Sequence, residues 1–98
     1  MINQLTLCAQ ISQLESLRYT PAGLPVLEML LKHQSYQQEA GQDRAVNCEV
    51  QAKLFGDAAK DWQYAQDSVV NVTGFLTHKS LRNPRLVLHI QTIELHKG

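Results

Sequence analysis

The sequence predicts an all-β domain, a five-stranded barrel with one short helix between its third and fourth strands, and three observations carry that expectation. Apolar residues recur at every second position in several separate stretches, glycine and proline punctuate the gaps, and a single stretch after Gly56 changes to helical spacing. With 98 residues there is room for one domain, read as 1–98, and the 44% hydrophobic content supplies one core with little surplus.

Leu5, Leu7, Ala9 and Ile11 alternate with polar neighbours, so residues 5–11 form the first strand. Thr20-Pro21-Ala22-Gly23-Leu24-Pro25 is a turn in which Pro21 presets φ and Gly23 supplies positive φ, which makes a hairpin the natural continuation. Val26 to His33 is read as the second strand. Leu27, Leu30 and Leu31 also fit a helical stripe, and it is the flanking Pro25 that favours the strand. Residues 34–45 are almost entirely polar and are expected as a long loop, of the kind that is functional or mobile.

Val46 to Lys53 alternates without a break, apolar on even numbers, and is the clearest strand in the chain. Asp57 is expected to cap a helix through Ala65, with Ala58, Trp62 and Ala65 on one face. Val69–Thr77, with Val70, Val72, Gly74 and Leu76 aligned, and Leu86–Leu95, with Leu86, Leu88 and Ile90 aligned before Ile93 and Leu95, complete the order βββαββ. That is the order of the oligonucleotide/oligosaccharide-binding (OB) barrel, whose ligands lie on strands two and three and on the 1–2 and 4–5 loops. An SH3-like barrel is the competing architecture, and residues 57–66 discriminate against it because it has no true helix at that point.

No apolar run is long enough to span a membrane, and no Lys or Arg precedes Arg18, so the basic start of a secretory signal is missing. The protein is expected in the cytoplasm. Cys8 and Cys48 have neither disulfide-scaffold nor zinc-site spacing and are expected as buried free thiols. His33, His78, His89 and His96 fall on different elements, which argues against a metal, and no catalytic signature or phosphate-cradling glycine loop is present. An enzyme is not expected, nor a cofactor.

Nine Lys and Arg cancel nine Asp and Glu, so any nucleic-acid affinity depends on local clustering. Residues 39–67 hold six carboxylates against three cations, whereas residues 78–98 hold four cations against Glu94 alone. Lys79, Arg82 and Arg85 lie in or beside the loop between strands four and five, where an OB barrel grips a nucleic-acid backbone, although a solvated basic loop would look the same. Arg18, Lys32 and Arg44 are further candidates for phosphate contact. Of the six aromatic residues, Phe55, Trp62 and Phe75 are read as packing, whereas Tyr36 stands among polar residues and is the candidate base platform, with a ring that only covers the barrel as the equal alternative.

Taken together, Asn3 to Leu7, the Thr20 to Pro25 turn, Leu31-Lys32-His33 with Gln37 and Glu39-Ala40-Gly41, Val72 to Leu76 and Leu86 to Leu95 resemble the primosomal replication protein N family. Its members are short relatives of bacterial single-stranded-DNA-binding protein, and the resemblance spans nearly the whole chain. It implies an OB-fold homodimer without enzymatic activity that binds single-stranded DNA and supports a restart helicase and other primosome proteins at stalled forks. Enterobacterial members carry aromatic residues where this sequence has Gln42 and Asn47. At about 1–3 kcal/mol per stacked base, that difference predicts weaker DNA binding dominated by phosphate contacts. A protein–protein interaction module of the primosome with little DNA binding of its own is the alternative.

Overall fold

The computed structural model describes residues 1–98. Its elements are β1 (Leu5–Leu14), a two-residue β2 (Arg18–Tyr19), β3 (Pro25–Glu39), β4 (Gln42–Phe55), α1 (Asp57–Asp61), β5 (Val69–His78) and β6 (Leu86–Leu95). β1 pairs antiparallel with β5 through Leu5–Gln10 and with β3 through Gln10–Leu14. β3 pairs with β4, β4 runs parallel to β6 over three rungs, and β6 returns to β5. The circuit β1-β5-β6-β4-β3-β1 is therefore closed, and β2 adds a flap to β3. This is the OB barrel expected from the element order.

The pleat decides what is inside. Ala9 and Ile11 of β1, Leu27, Met29 and Leu31 of β3, Ala52 and Leu54 of β4, Val70 and Val72 of β5, and Leu88 and Ile90 of β6 form the core with Ala59 of the helix. Two bulges keep apolar residues in phase where the barrel bends. In β1, Ser12 has no partner between the pairs Ile11–Leu31 and Gln13–Leu30, and its hydroxyl donates to the Leu30 carbonyl at 3.2 Å. In β6, Thr92 pairs with Thr73 and Ile90 with Gly74, leaving Gln91 out. The extra residue moves the inward face from Leu88 and Ile90 to Ile93, the break in alternation visible in the sequence.

Residues 34–45 are not a loop. β3 and β4 stay paired from Val26–Phe55 out to Glu39–Gln42, joined by the two-residue turn Ala40-Gly41, where φ is 52° and 78°. Two successive positive φ values suit the right-handed twist of a tight hairpin. Full burial ends at Leu31 on one strand and resumes at Ala52 on the other, so the outer part of the hairpin projects from the barrel as an arm. An arm with solvent on both faces needs no apolar stripe, which is why its sequence reads as polar loop.

The helix is also shorter than its sequence spacing predicts. It ends at Asp61, its N-cap is Gly56 at φ 91°, and Asp57 is the first helical residue rather than a side-chain cap. Ala58, Trp62 and Ala65 still pack against the core, the last two from the turn that follows. Of the two thiols expected to be buried, Cys8 is half-buried and Cys48 is exposed, because its inward-facing position lies on the arm beyond the barrel.

At Gly74 the backbones of β5 and β6 approach too closely for a side chain. A Cβ at this position collides with the carbonyl oxygen of His89 across the bulge, and the contacting atom is backbone that cannot rotate away. Gly74→Ala is expected to lower stability by about 1–3 kcal/mol, the range of an overpacked core site, as measured by denaturant unfolding. Gly23, with open space around its Cβ direction, has no comparable backbone contact.

Candidate nucleic-acid interface

The same pleat that fills the core with odd residues of β3 and even residues of β4 turns the others outward. Reading from the barrel along the arm, the outer rows are Glu28–Lys53, Leu30–Gln51, Lys32–Glu49, Gln34–Asn47 and Tyr36–Ala45. Tyr36 is 81% exposed, and the small Ala45 opposite leaves its ring uncovered. Lys32 shares this face. Arg44 and Gln42 do not: they pair with Gln37 and Glu39 in the reverse-facing rows, and Arg44 is held 3.3 Å from Glu39 near the tip.

At the barrel end of the outer face is a groove of about 420 Å³. Arg18, Lys53 and Lys79 line it from β2, β4 and the residue after β5, together with Glu15 and Glu28. Glu28 organises these cations. Its Oε2 accepts from Arg18 Nη2 at 2.8 Å and Nε at 3.2 Å, and its Oε1 lies 3.7 Å from Lys53 Nζ. Burial opposes ionisation of Glu28 and is the largest single influence on it. The Arg18 hydrogen bond and the charges of Lys53, Arg18 and Lys79 together outweigh burial and hold the carboxyl below its ordinary value.

The loop after β5 is ordered by Asn83 and Ser80. Asn83 Oδ1 accepts from the Arg85 amide at 3.1 Å, Ser80 Oγ accepts from the Asn83 amide at 3.1 Å, and the Lys79 amide donates to the Arg85 carbonyl at 2.9 Å. Lys79, Arg82 and Arg85 are thus presented as exposed cations on a folded loop, and none has a carboxylate partner within ion-pair distance. A larger hollow of about 1000 Å³ opens beside Trp62, Tyr64, Ile93 and Leu95. Asp61 and Glu94 outnumber Lys97 there, so it is poorly suited to phosphate.

Lys53 is the groove residue that reading the sequence missed. Its signal was the alternation of residues 46–53, whose odd positions had to face outward on the strand pair that an OB barrel uses for binding. Phe55 and Phe75, read as packing, lie against the His89 ring with centroids 5.3 and 5.2 Å away, and Phe55 remains 36% exposed. The other histidines are separate from one another: His33 bridges the Cys8 carbonyl and the Ser35 hydroxyl, and His78 and His96 lie at or just past strand ends.

A closed OB barrel with a cationic groove between its outer β3–β4 face and the loop after β5 belongs structurally with the single-stranded-DNA-binding-protein class. The family described as "Another single-strand binding protein family" matches residues 3–92. The replication restart protein PriB of Neisseria meningitidis serogroup B is 46% identical over 96 residues, covering 98% of this chain and 96% of that protein. The structure of PriB from Ralstonia solanacearum superposes with a TM-score of 0.87 at 34% identity, covering 99% of this chain and all of that one. The single-stranded DNA binding protein from Thermus aquaticus gives 0.78 at 26% identity, with this chain spanning 51% of its length. The chain belongs to the replication restart protein PriB family, the primosomal replication protein N that its motifs resemble.

Burial lowers the pKa of His89 from its ordinary 6.5, and the charge of Lys53 lowers it further. The folded state therefore favours the neutral ring, and the stability this contributes is present above pH 6.5 and lost as pH falls through the folded value. Glu28 follows the same direction only below about pH 4.5. His89→Leu is expected to show a smaller fall in Tm than the parent between about pH 7 and pH 5.5, read by thermal melts in matched buffers.

Proposed function

We propose that this chain is a non-enzymatic, single-stranded-DNA-binding accessory protein of replication restart, acting in the cytoplasm and supporting a restart helicase. The observation that carries the reading is the groove between Arg18, Lys53 and Lys79, with Arg82 and Arg85 exposed on the same loop as Lys79 and with Lys32 and Tyr36 on the same face farther along the arm. These side chains pair backbone-binding cations with one uncovered ring, the combination that sequence-tolerant single-strand binding uses. Arg44, on the reverse face, is left outside this path. No helix is long and apolar enough to cross a membrane.

Replacing Lys79, Arg82 and Arg85 together with Ala is expected to weaken binding to all single strands alike and to reduce the log–log salt slope by about 0.7 per lost contact. Glu28→Gln should act in the opposite direction, because it releases Arg18 and Lys53 for phosphate. Fluorescence anisotropy across a salt series measures both. An unchanged titration for the triple variant would rule the loop out as the main DNA contact, whereas no single-strand binding by the parent alongside tight helicase association would support the interaction module, the reading that Gln42 and Asn47 in place of aromatics favour.

Tyr36→Leu keeps apolar cover and removes the π face. The expected loss is about 1–3 kcal/mol of DNA affinity with Tm almost unmoved, since an 81% exposed ring contributes little packing. Parent-like binding by this variant would exclude stacking at the position.

A homodimer is also proposed, through β1. From Leu5 to Ala9 that strand has β5 on one side and no strand on the other, and such an edge favours pairing with another chain. Sedimentation is expected to give a dimer at micromolar concentration, and a stable monomer would refute it.

A further inference from the structure

We propose that a second copy of this chain supports the single-strand face from behind: its β1 strand enters a notch between β1 and the arm, covers Val46 and Cys48, and steadies the hairpin that carries Tyr36. The inference rests on the proposed pairing through β1 and on the single-stranded-DNA reading of the β3–β4 face. The notch opens where two paired strands part. β1 is joined to β3 from Leu14 back to Gln10, opposite Lys32, and toward its start it follows β5 while β3 runs out along the arm with β4. From Leu5 to Ala9 on one wall, and from His33 to Glu39 on the other, each strand has an edge without a partner strand. His33 ties the vertex, its Nδ1 donating to the Cys8 carbonyl oxygen at 2.7 Å. Ile11 directs both of its backbone groups to Ser68 and Asp67 on the β5 side, so by antiparallel alternation Thr6 and Cys8 turn theirs into the notch.

The inward side of the arm's root is apolar where the single subunit gives it nothing to pack on. Val50, Cys48 and Val46 continue the stripe of Ala52 and Leu54 past the end of the barrel. Val50 packs against the core, Val46 is half-buried outside it, and Cys48 is exposed. Farther out the same side turns polar, with Gln37 opposite Arg44 and Glu39 opposite Gln42. The apolar stretch thus lies only beside the free edge of β1, whose Leu5 and Leu7 face the same side. A second β1 paired antiparallel with the first places its own Leu5 and Leu7 there, because residues opposite each other in a ladder share a face. The Leu5–Ala9 edge alone is too small for a stable dimer, which buries about 800 Å² on each partner, and the arm's root is the apolar surface contiguous with it. β1 is complementary to itself about a two-fold axis, which selects a second copy over a foreign strand. Since a hairpin outside a core is marginally stable in water, cover on its inward side steadies Lys32 and Tyr36 on the other.

The test follows Cys48 and the oligomer together. In the unaltered protein, alkylation of Cys48 by iodoacetamide, resolved from Cys8 by peptide mass, is expected to slow in step with the dimer fraction measured by sedimentation as concentration rises. Val46→Asp is expected to raise the dimer Kd by at least about tenfold, because it carries a carboxylate into an apolar contact, whereas Asn47→Asp on the outer face leaves it unchanged. Labelled oligo-dT short enough for a single barrel should bind Val46→Asp several-fold more weakly than the parent below that Kd, and equally above it. A dimer whose Cys48 reacts as fast as the monomer's overturns the notch and leaves β1 pairing standing, a readout that needs no variant and so decides even where Val46→Asp fails to fold. Parent-like dimerisation of folded Val46→Asp has the same meaning. A parent that stays monomeric overturns the dimer and the notch together. Equal oligo-dT binding by monomeric Val46→Asp and dimeric parent overturns the steadying of the arm, and no oligo-dT binding by the parent overturns the single-strand reading on which that steadying depends.

Discussion

Everything in this molecule depends on one continuous pleat, the hairpin of β3 and β4. Over its first half the odd residues of β3 and the even residues of β4 fill the barrel, with Leu27, Leu31, Ala52 and Leu54 almost wholly removed from water. The period of two that buries them fixes Glu28, Lys32, Lys53 and, farther out, Gln34, Tyr36 and Asn47 on the opposite face. A slip of one residue would expose the core and bury the charges at the same time. Core and interface are therefore set by the same register, and the Ala40-Gly41 turn, with both φ values positive, is where that register is pinned.

Electrostatics works within a chain whose formal charge is zero. Bulk attraction to a polyanion is absent, so affinity depends on where the cations are and on what holds them. Glu28 holds Arg18 and Lys53 in place, which gives the groove shape but reduces the charge it offers. Lys79, Arg82 and Arg85 have no such partner and stand on a loop that Asn83 and Ser80 keep folded. On the proposed reading the groove provides orientation, and the loop provides the larger share of counterion release.

Wherever burial imposed a period, the fold was legible in the sequence. Ile11, Val72, Leu88 and Leu54 all sit inside because the barrel needs them there, and the alternation around each is visible in the chain. The arm was invisible for the converse reason: with water on both faces, nothing selects apolar residues at alternate positions, and Ala-Gly is a weaker turn signal than Asn-Gly. Tyr36 was singled out correctly as an exposed aromatic, but its partners could not be, since facing relations along residues 34–47 require knowing that the strands pair. Lys79, Arg82 and Arg85 were singled out as candidates from charge clustering, and the structure leaves all three exposed and unpaired. Lys53 was overlooked because the acidic stretch around it hid a cation whose strand position pointed it outward.

The arm and the groove have different physical requirements, and that accounts for their compositions. The groove is pre-formed, as a proposed phosphate site requires: Glu28 fixes Arg18 and Lys53, and its floor is barrel wall. An arm that meets bases has to present flat or hydrogen-bonding surfaces while remaining soluble when free. A two-stranded hairpin outside a core is marginally stable in water, and its rungs hold only as long as the barrel half of the same strands keeps them in register. Large aromatics on both of its faces would make such an arm prone to edge pairing and aggregation, whereas one tyrosine flanked by amides does not. On the proposed reading the base-facing surface relies on a single ring, Tyr36, and the shortfall in stacking is offset by cations on the loop, at the end of the barrel where the arm is rooted.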